Sequence, residues 1–140
     1  MPDPKNVIAV VSEWVAKAEN DLKAASLVLR SGKACPADTV CFHGQQVVEK
    51  YLKALLTAHG IAFPKTHNIR KLAEMLPASA QLNLSEAEQN ELTGFATGAR
   101  YPGWGEISLA DGRRALAIAR RVRRDVRKLL PRNALRQRKK

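Results

Sequence analysis

Apolar residues recur along most of the chain at intervals of three, four or seven residues, a spacing that places side chains on one face of an α-helix. Long segments with this pattern run from about Pro4 to Leu29, from about Ala37 to His59 and from about Leu109 to Leu130. Shorter segments run from about Asn68 to Leu76 and from about Glu86 to Thr97. No segment has the alternation of a strand. The pattern predicts an all-α fold, an up-down antiparallel bundle of four to five helices.

The composition agrees with a helical core. Of the 140 residues, 45% are hydrophobic but only 5% are aromatic, so the core must consist mainly of aliphatic side chains. The length suits one domain. We therefore expect one helical domain over residues 1–130. A basic, disordered tail is expected over residues 131–140, where five bases occur without an acid.

The sequence also bears on location and cofactors. No apolar run approaches the roughly 20 residues that cross a bilayer, and the first residues lack the pattern of a signal peptide. Cys35 and Cys41 are too few for a disulfide scaffold, and their spacing with His43 fits no zinc site. We expect a cytoplasmic protein with reduced thiols, no metal, no cofactor and no membrane contact.

Four segments together resemble a known family. The main one is the run from Cys41 to Leu56, Cys-Phe-His-Gly-Gln-Gln-Val-Val-Glu-Lys-Tyr-Leu-Lys-Ala-Leu-Leu. It is similar to the signature helix of the HEPN family (higher eukaryotes and prokaryotes nucleotide-binding domain). Three further segments agree in the same order: Trp14 to Leu22, Thr66 to Ile69 and Ala99 to Pro102. The resemblance covers roughly residues 7 to 130.

This resemblance implies a helical bundle that pairs as a homodimer. It also implies a prokaryotic, stand-alone protein beside a minimal nucleotidyltransferase, in a toxin–antitoxin or stress module. Many members are metal-independent ribonucleases whose active site is an arginine followed a few residues later by a histidine, brought together across the dimer. Here the arginine that precedes His43 is Arg30, thirteen residues away, and Arg100 has no histidine after it. The nuclease motif is therefore not found.

The polar side of the second helix carries a row of candidate ligand-binding groups. Spacings of three, four and seven residues align His43, Gln46, Glu49, Lys50 and Lys53. Such a row could contact phosphate with lysine and a base or ribose with glutamine. Alternatively, its lysines pair with Glu19 or Asp21 of the first helix, and the sequence favours this structural interpretation because polar helix faces mostly make weak pairs.

Two further candidates lie outside this row. His67 is a possible site residue, although a helix-entry hydrogen bond after Thr66 is the favoured interpretation. The loop that contains Arg100, Tyr101 and Trp104 could clamp a phosphate and stack a base. It could equally pin the loop to the bundle and cap a helix end.

The basic charge of the chain is concentrated at its C-terminal end. From residue 113 to residue 140 there are 13 lysines or arginines and one acid, although the whole chain has a net charge of +11. One face of the fifth helix collects most of them, namely Arg113, Arg114, Arg120, Arg121, Arg124, Arg127 and Lys128. Like charges four residues apart, as in Arg120 and Arg124, cost a few tenths of a kcal/mol. RNA, DNA or an acidic protein would offset that cost, and a solubilising face is the alternative.

Two hypotheses of function follow. The first is a non-catalytic module that binds nucleotide or RNA and works with a nucleotidyltransferase partner. The second is a metal-independent, RNA-cleaving toxin with a divergent site, in which Arg100 stabilises charge and His43 or His67 is the general base. A variant of the first makes the basic helix the surface that contacts a protein partner. The missing arginine–histidine motif favours a protein that is not an enzyme.

Overall fold

The computed structural model describes residues 4–135, apart from the side chains of residues 4, 5 and 100. This part of the chain contains six α-helices and three short 3₁₀ turns, without a strand. The helices are α1 (Pro4–Leu29), α2 (Ala37–Ala58), α3 (Ile69–Glu74), α4 (Glu86–Ala96), α5 (Leu109–Leu129) and α6 (Arg132–Leu135). The all-α prediction is confirmed, and the five predicted segments match the first five helices to within one or two residues.

Side-chain caps explain where the later helices begin. Ser85 accepts a hydrogen bond from the backbone of Glu88, whose side chain accepts one in return from the backbone of Ser85. Ser108 and Asp111 repeat this reciprocal pair at the start of α5. The Ser-x-x-acid spacing predicts both capping boxes. At α3 the cap is Asn68, which accepts from the backbone of Lys71, rather than Thr66.

The four long helices form an up-down bundle with α2 at its centre. Helix α2 packs against α1, α5, α4 and α3. Its buried apolar side chains include Val47, Tyr51 and Leu55, which belong to one largely aliphatic core with Val11 and Val15 of α1. Burial of such side chains supplies the main driving force of folding, about 25 cal/mol per Å² of apolar surface.

Two glycines let α2 and α5 approach each other closely. A Cβ atom on Gly44 would lie 3.3 Å from the backbone and the Cβ of Ala115. A Cβ on Gly112 would lie 3.4 Å from Val40. These two contacts set the axial position of α5 relative to α2. They therefore also set where the basic residues of α5 lie.

The end of the chain differs from the predicted disordered tail over residues 132–135. These residues form helix α6, and Ala134 is 1% exposed. Helix α6 packs against α1 and so adds a wall beside the C-terminal end of α5. Residues 136–140, the rest of the predicted tail, lie outside the described residues.

Candidate functional site

The polar row of α2 is largely an internal structure. Glu49 is 3% exposed, and its carboxylate accepts hydrogen bonds from Gln45 (3.1 Å), Gln46 (3.3 Å), His67 (2.8 Å) and Lys53 (3.0 Å). Four donors thus converge on one buried carboxylate, as a buried charge requires. Three of the predicted ligand groups, Gln46, Lys53 and His67, are therefore engaged with Glu49.

These donors also determine the charge state of Glu49. Burial alone would raise the pKa of Glu49, but hydrogen bonds from Gln45, His67 and Lys53 outweigh it and hold the pKa below its ordinary value. The side chain is accordingly a carboxylate near neutral pH. It links α2 to His67, which lies before α3 and exposes 62% of its side chain.

The ammonium group of Lys53 is enclosed by aromatic rings as well as by its acidic partner. Its Nζ atom lies 5.5 Å from the ring centroid of Trp14 and 5.9 Å from that of Phe63. Such cation–π contacts contribute about 1 kcal/mol each, more when desolvated. Lys53 is 7% exposed, which leaves little of its charge for a phosphate ligand.

A second polar cluster joins α1 to α2 on the other side of the row. The carboxylate of Asp21 accepts from Lys50 Nζ at 2.5 Å and contacts His43 Nδ1 at 2.8 Å. The structure thus contains the Lys50–Asp21 pair that the structural interpretation describes. His43 keeps 27% of its side chain exposed, and Lys50 keeps 22%.

A third cluster joins α1, α2 and α5. Arg123 binds both carboxylate oxygens of Glu19, with Nε at 2.9 and 3.0 Å and a terminal nitrogen at 2.7 Å. Tyr51 donates to Glu19 at 2.9 Å and accepts from Arg127 at 3.2 Å. Burial alone would raise the pKa of Glu19, but these contacts outweigh it and lower the pKa. Burial also raises the pKa of Tyr51 to about 12, so its hydroxyl stays protonated.

The loop between α4 and α5 is anchored by one of its two aromatic residues. The ring of Trp104 lies on Gly94 and Gly98, where a Cβ would come within 2.5 and 2.8 Å of it. Tyr101 is 66% exposed. The side chain of Arg100, the third predicted site residue here, lies outside the described residues. Trp104 therefore performs the pinning role of the structural interpretation.

The predicted basic face of α5, together with Arg123, divides into three parts. On one flank, Arg114 and Arg121 form ion pairs with Glu91 and Glu88 of α4. On the other flank, Arg123 and Arg127 are held by Glu19 of α1. Between them runs an exposed ridge, which we call the α5 ridge: Arg113, Arg120, Arg124 and Lys128.

The second flank and the ridge border a cleft of about 750 Å³ at the junction of α1, α5 and α6. Its lining contains three leucines and six cations: Leu22, Leu130, Leu135, Arg120, Arg123, Arg124, Arg127, Lys128 and Arg132. Among the described residues, no acid lines it. Such a concave surface of one charge sign focuses the electrostatic field and attracts anions. Three members of the predicted basic face, Arg113, Arg114 and Arg121, are not part of this lining.

Several members of these clusters could not be identified from the sequence. By its spacing Arg123 falls within the apolar side of α5, yet its guanidinium donates hydrogen bonds to Glu19 of α1. The predicted tail includes Arg132, yet α6 brings this residue to the cleft. A helical pattern orders residues along one helix, whereas these contacts depend on how separate helices cross. The available sequence signal was the presence of acidic residues in α1, which could pair with cations of another helix.

Over residues 4–135, no group of three or more metal-ligating side chains lies close enough to hold a metal ion. Within the same range, every helix is too short or too polar to cross a membrane. Both cysteines are buried, and neither forms a disulfide.

Comparisons with known proteins agree with this architecture. The model of the HEPN domain family matches residues 11–129. The chain therefore belongs to the HEPN domain family. The crystal structure of TT1696 from Thermus thermophilus has a similar fold, with a TM-score of 0.69 and 24% sequence identity. The similarity covers 86% of this chain and 98% of that one. No curated protein matches the sequence.

The buried Glu49 cluster makes a prediction about stability. Glu49→Ala should lower the free energy of unfolding by about 3 kcal/mol at neutral pH, because it leaves the buried Lys53 unpaired. Glu49→Gln should flatten the acid limb of the stability curve. A depressed carboxylate pKa stabilises the fold above the unfolded value of 4.5, and this contribution is lost as pH falls through the folded pKa. Urea unfolding between pH 3 and pH 7 measures both effects.

The exposed Glu13 of α1 provides the control, since Glu13→Gln removes a carboxylate from the surface. The same acid limb in Glu49→Gln and in the unmodified protein would contradict the assignment of a structural charge to Glu49.

Proposed function

We propose that this chain is a non-catalytic HEPN-type module that binds RNA through the phosphates of its backbone. The observation that carries the proposal is the cleft at the C-terminal end of α5, whose described lining has six cations and no acid. Lysine and arginine side chains that approach phosphates release condensed counterions, which drives nucleic-acid binding. The row on α2 supports this choice indirectly, because its polar groups already have partners within the protein.

A solubilising surface is the competing explanation for the cations of α5. Part of the basic charge of α5 does have a structural role: two arginines pair with α4, and two pair with Glu19. Cations in the last turn also interact favourably with the helix dipole. However, the cations of the ridge gain little from ion pairs. Its one ion pair within the described residues joins Arg124 to Asp125 at 3.9 Å on an exposed side chain, and such pairs contribute almost nothing.

Charge reversal on the ridge tests the proposal. Arg124→Glu combined with Lys128→Glu should weaken the binding of labelled single-stranded RNA at least tenfold. The slope of log affinity against log salt should also fall by about 1.4, since each lost phosphate contact removes about 0.7 for a single strand. Fluorescence anisotropy at several salt concentrations measures both quantities.

The matched control is Lys65→Glu combined with Lys71→Glu, which makes the same change in net charge at exposed positions of another part of the surface. Equal losses in the two double variants would show that net charge, rather than the ridge, determines the affinity. Circular dichroism would verify that both variants keep the helical content of the unmodified protein.

Membership of the HEPN domain family is the basis for a proposal about partners. We propose that the module forms a homodimer and works with a minimal nucleotidyltransferase in a prokaryotic toxin–antitoxin or stress module. Light scattering of the purified protein should give twice the mass of the 15.4 kDa chain, and a nucleotidyltransferase partner should copurify when the two are coexpressed. A monomeric mass, or separate elution of the two proteins, would remove the corresponding part of the proposal.

A second candidate function is RNA cleavage without a metal. The observation that favours it is that His43 and His67 each direct Nδ1 toward a buried carboxylate, Asp21 or Glu49. A carboxylate that orients Nδ1 leaves Nε2 to exchange a proton with a substrate, the arrangement of a general base.

This candidate predicts chelator-resistant cleavage of single-stranded RNA that His43→Ala or His67→Ala abolishes. His59→Ala is the control, because His59 is the third histidine of the chain and contributes no side chain to these clusters. Denaturing gels with purified variants measure the cleavage. Cleavage that persists in both single variants, or that disappears in all three, would exclude this assignment.

A further inference from the structure

The cations of the α5 ridge are arranged in a line. Arg120, Arg124 and Lys128 are each four residues apart, which corresponds to steps of about 6 Å along a helix axis. Arg113 lies seven residues before Arg120, about 10 Å further along the same axis. The exposed positive charge therefore extends over roughly 22 Å. A compact anion would contact only one or two of these groups at a time.

The inner wall of the cleft contributes less charge to a ligand than its residue types suggest. The guanidinium of Arg123 is bidentate on Glu19, and Arg127 approaches the same carboxylate at 3.8 Å while donating to Tyr51. Glu19 therefore offsets part of the charge of both. What remains for a ligand lies mainly on the ridge, so the available charge is linear rather than focused at one point.

Within the described residues, the cleft offers arginine and lysine but none of the aromatic rings or side-chain amides that commonly read bases in a single strand. The nine described residues that line it include no aromatic ring, side-chain amide or hydroxyl. Sequence preference in a single strand arises from stacking on aromatic rings and from fixed hydrogen bonds to base edges. Contacts from flexible cations to phosphate set the position of a strand but carry no sequence information.

We infer that the α5 ridge binds one extended nucleic-acid strand through several successive phosphates, independently of base sequence, and that mononucleotides are poor ligands. This inference rests on the proposed RNA-binding function and specifies its ligand. Each of the ridge cations takes a phosphate of the same strand. Affinity therefore depends on how many phosphates the strand can present along the ridge.

A length series tests the inference. Uridine oligonucleotides of one, two, four and eight nucleotides compete with a labelled octamer for the unmodified protein. Affinity should rise at least tenfold from the mononucleotide to the tetramer, and less than threefold from the tetramer to the octamer. Octamers of uridine, adenosine and cytidine should bind with affinities within threefold of one another. Arg124→Glu combined with Lys128→Glu should abolish the length dependence, whereas Lys65→Glu combined with Lys71→Glu should preserve it.

The outcomes separate this inference from the function on which it rests. A mononucleotide that competes as well as the octamer, or a homopolymer preferred more than tenfold, would overturn the inference and leave RNA binding in place. Length dependence that survives the ridge variant would place the strand elsewhere and would also overturn it. If no oligonucleotide binds at low salt, the proposed function itself fails.

Discussion

The burial of a charged helix face is the constraint on which this structure depends. Helix α2 packs against four other helices, and even its polar side is mostly removed from water. A buried charge without partners would cost several kcal/mol, so each group on that side must be satisfied by the protein. Glu49 receives four donors, Asp21 receives two, and Glu19 receives Tyr51 and Arg123. These three carboxylates fix how α1, α2, α5 and the segment before α3 fit together.

The same requirement separates the two kinds of polar residue in this molecule. Polar groups on α2 mostly pair with other groups of the protein, whereas the cations on the outer side of α5 are exposed to solvent. The interhelical contacts at Gly44 and Gly112 set the position of α5, and Glu19 then sets the orientation of its inner arginines. The exposed cations are thus held on a rigid helix rather than on a mobile loop, which reduces the entropy lost when they bind a ligand.

Much of the fold was predictable because it follows from local patterns. Helical spacing identified the five main segments, and the Ser-x-x-acid spacing identified the start of two of them. Helix α6 was missed because a four-residue turn has no periodicity and its packing against α1 cannot be read from the sequence. The clusters were less predictable, since Asp21 could have faced Lys50 or Lys53 according to the rotation of α1 on α2. The neighbours of Arg123 on its side of α5 are apolar, so the sequence did not indicate that Arg123 pairs with Glu19 of α1.

The packing of Trp104 on two glycines restricts which substitutions the sequence can accept. The indole ring occupies the space that a methyl group at Gly94 or Gly98 would need. A side chain at either glycine would displace the ring from its present position. A smaller residue in place of the ring would instead leave two glycines with no steric reason to persist. Positions 94, 98 and 104 are therefore expected to covary, so that related sequences that differ at one of them also differ at the others.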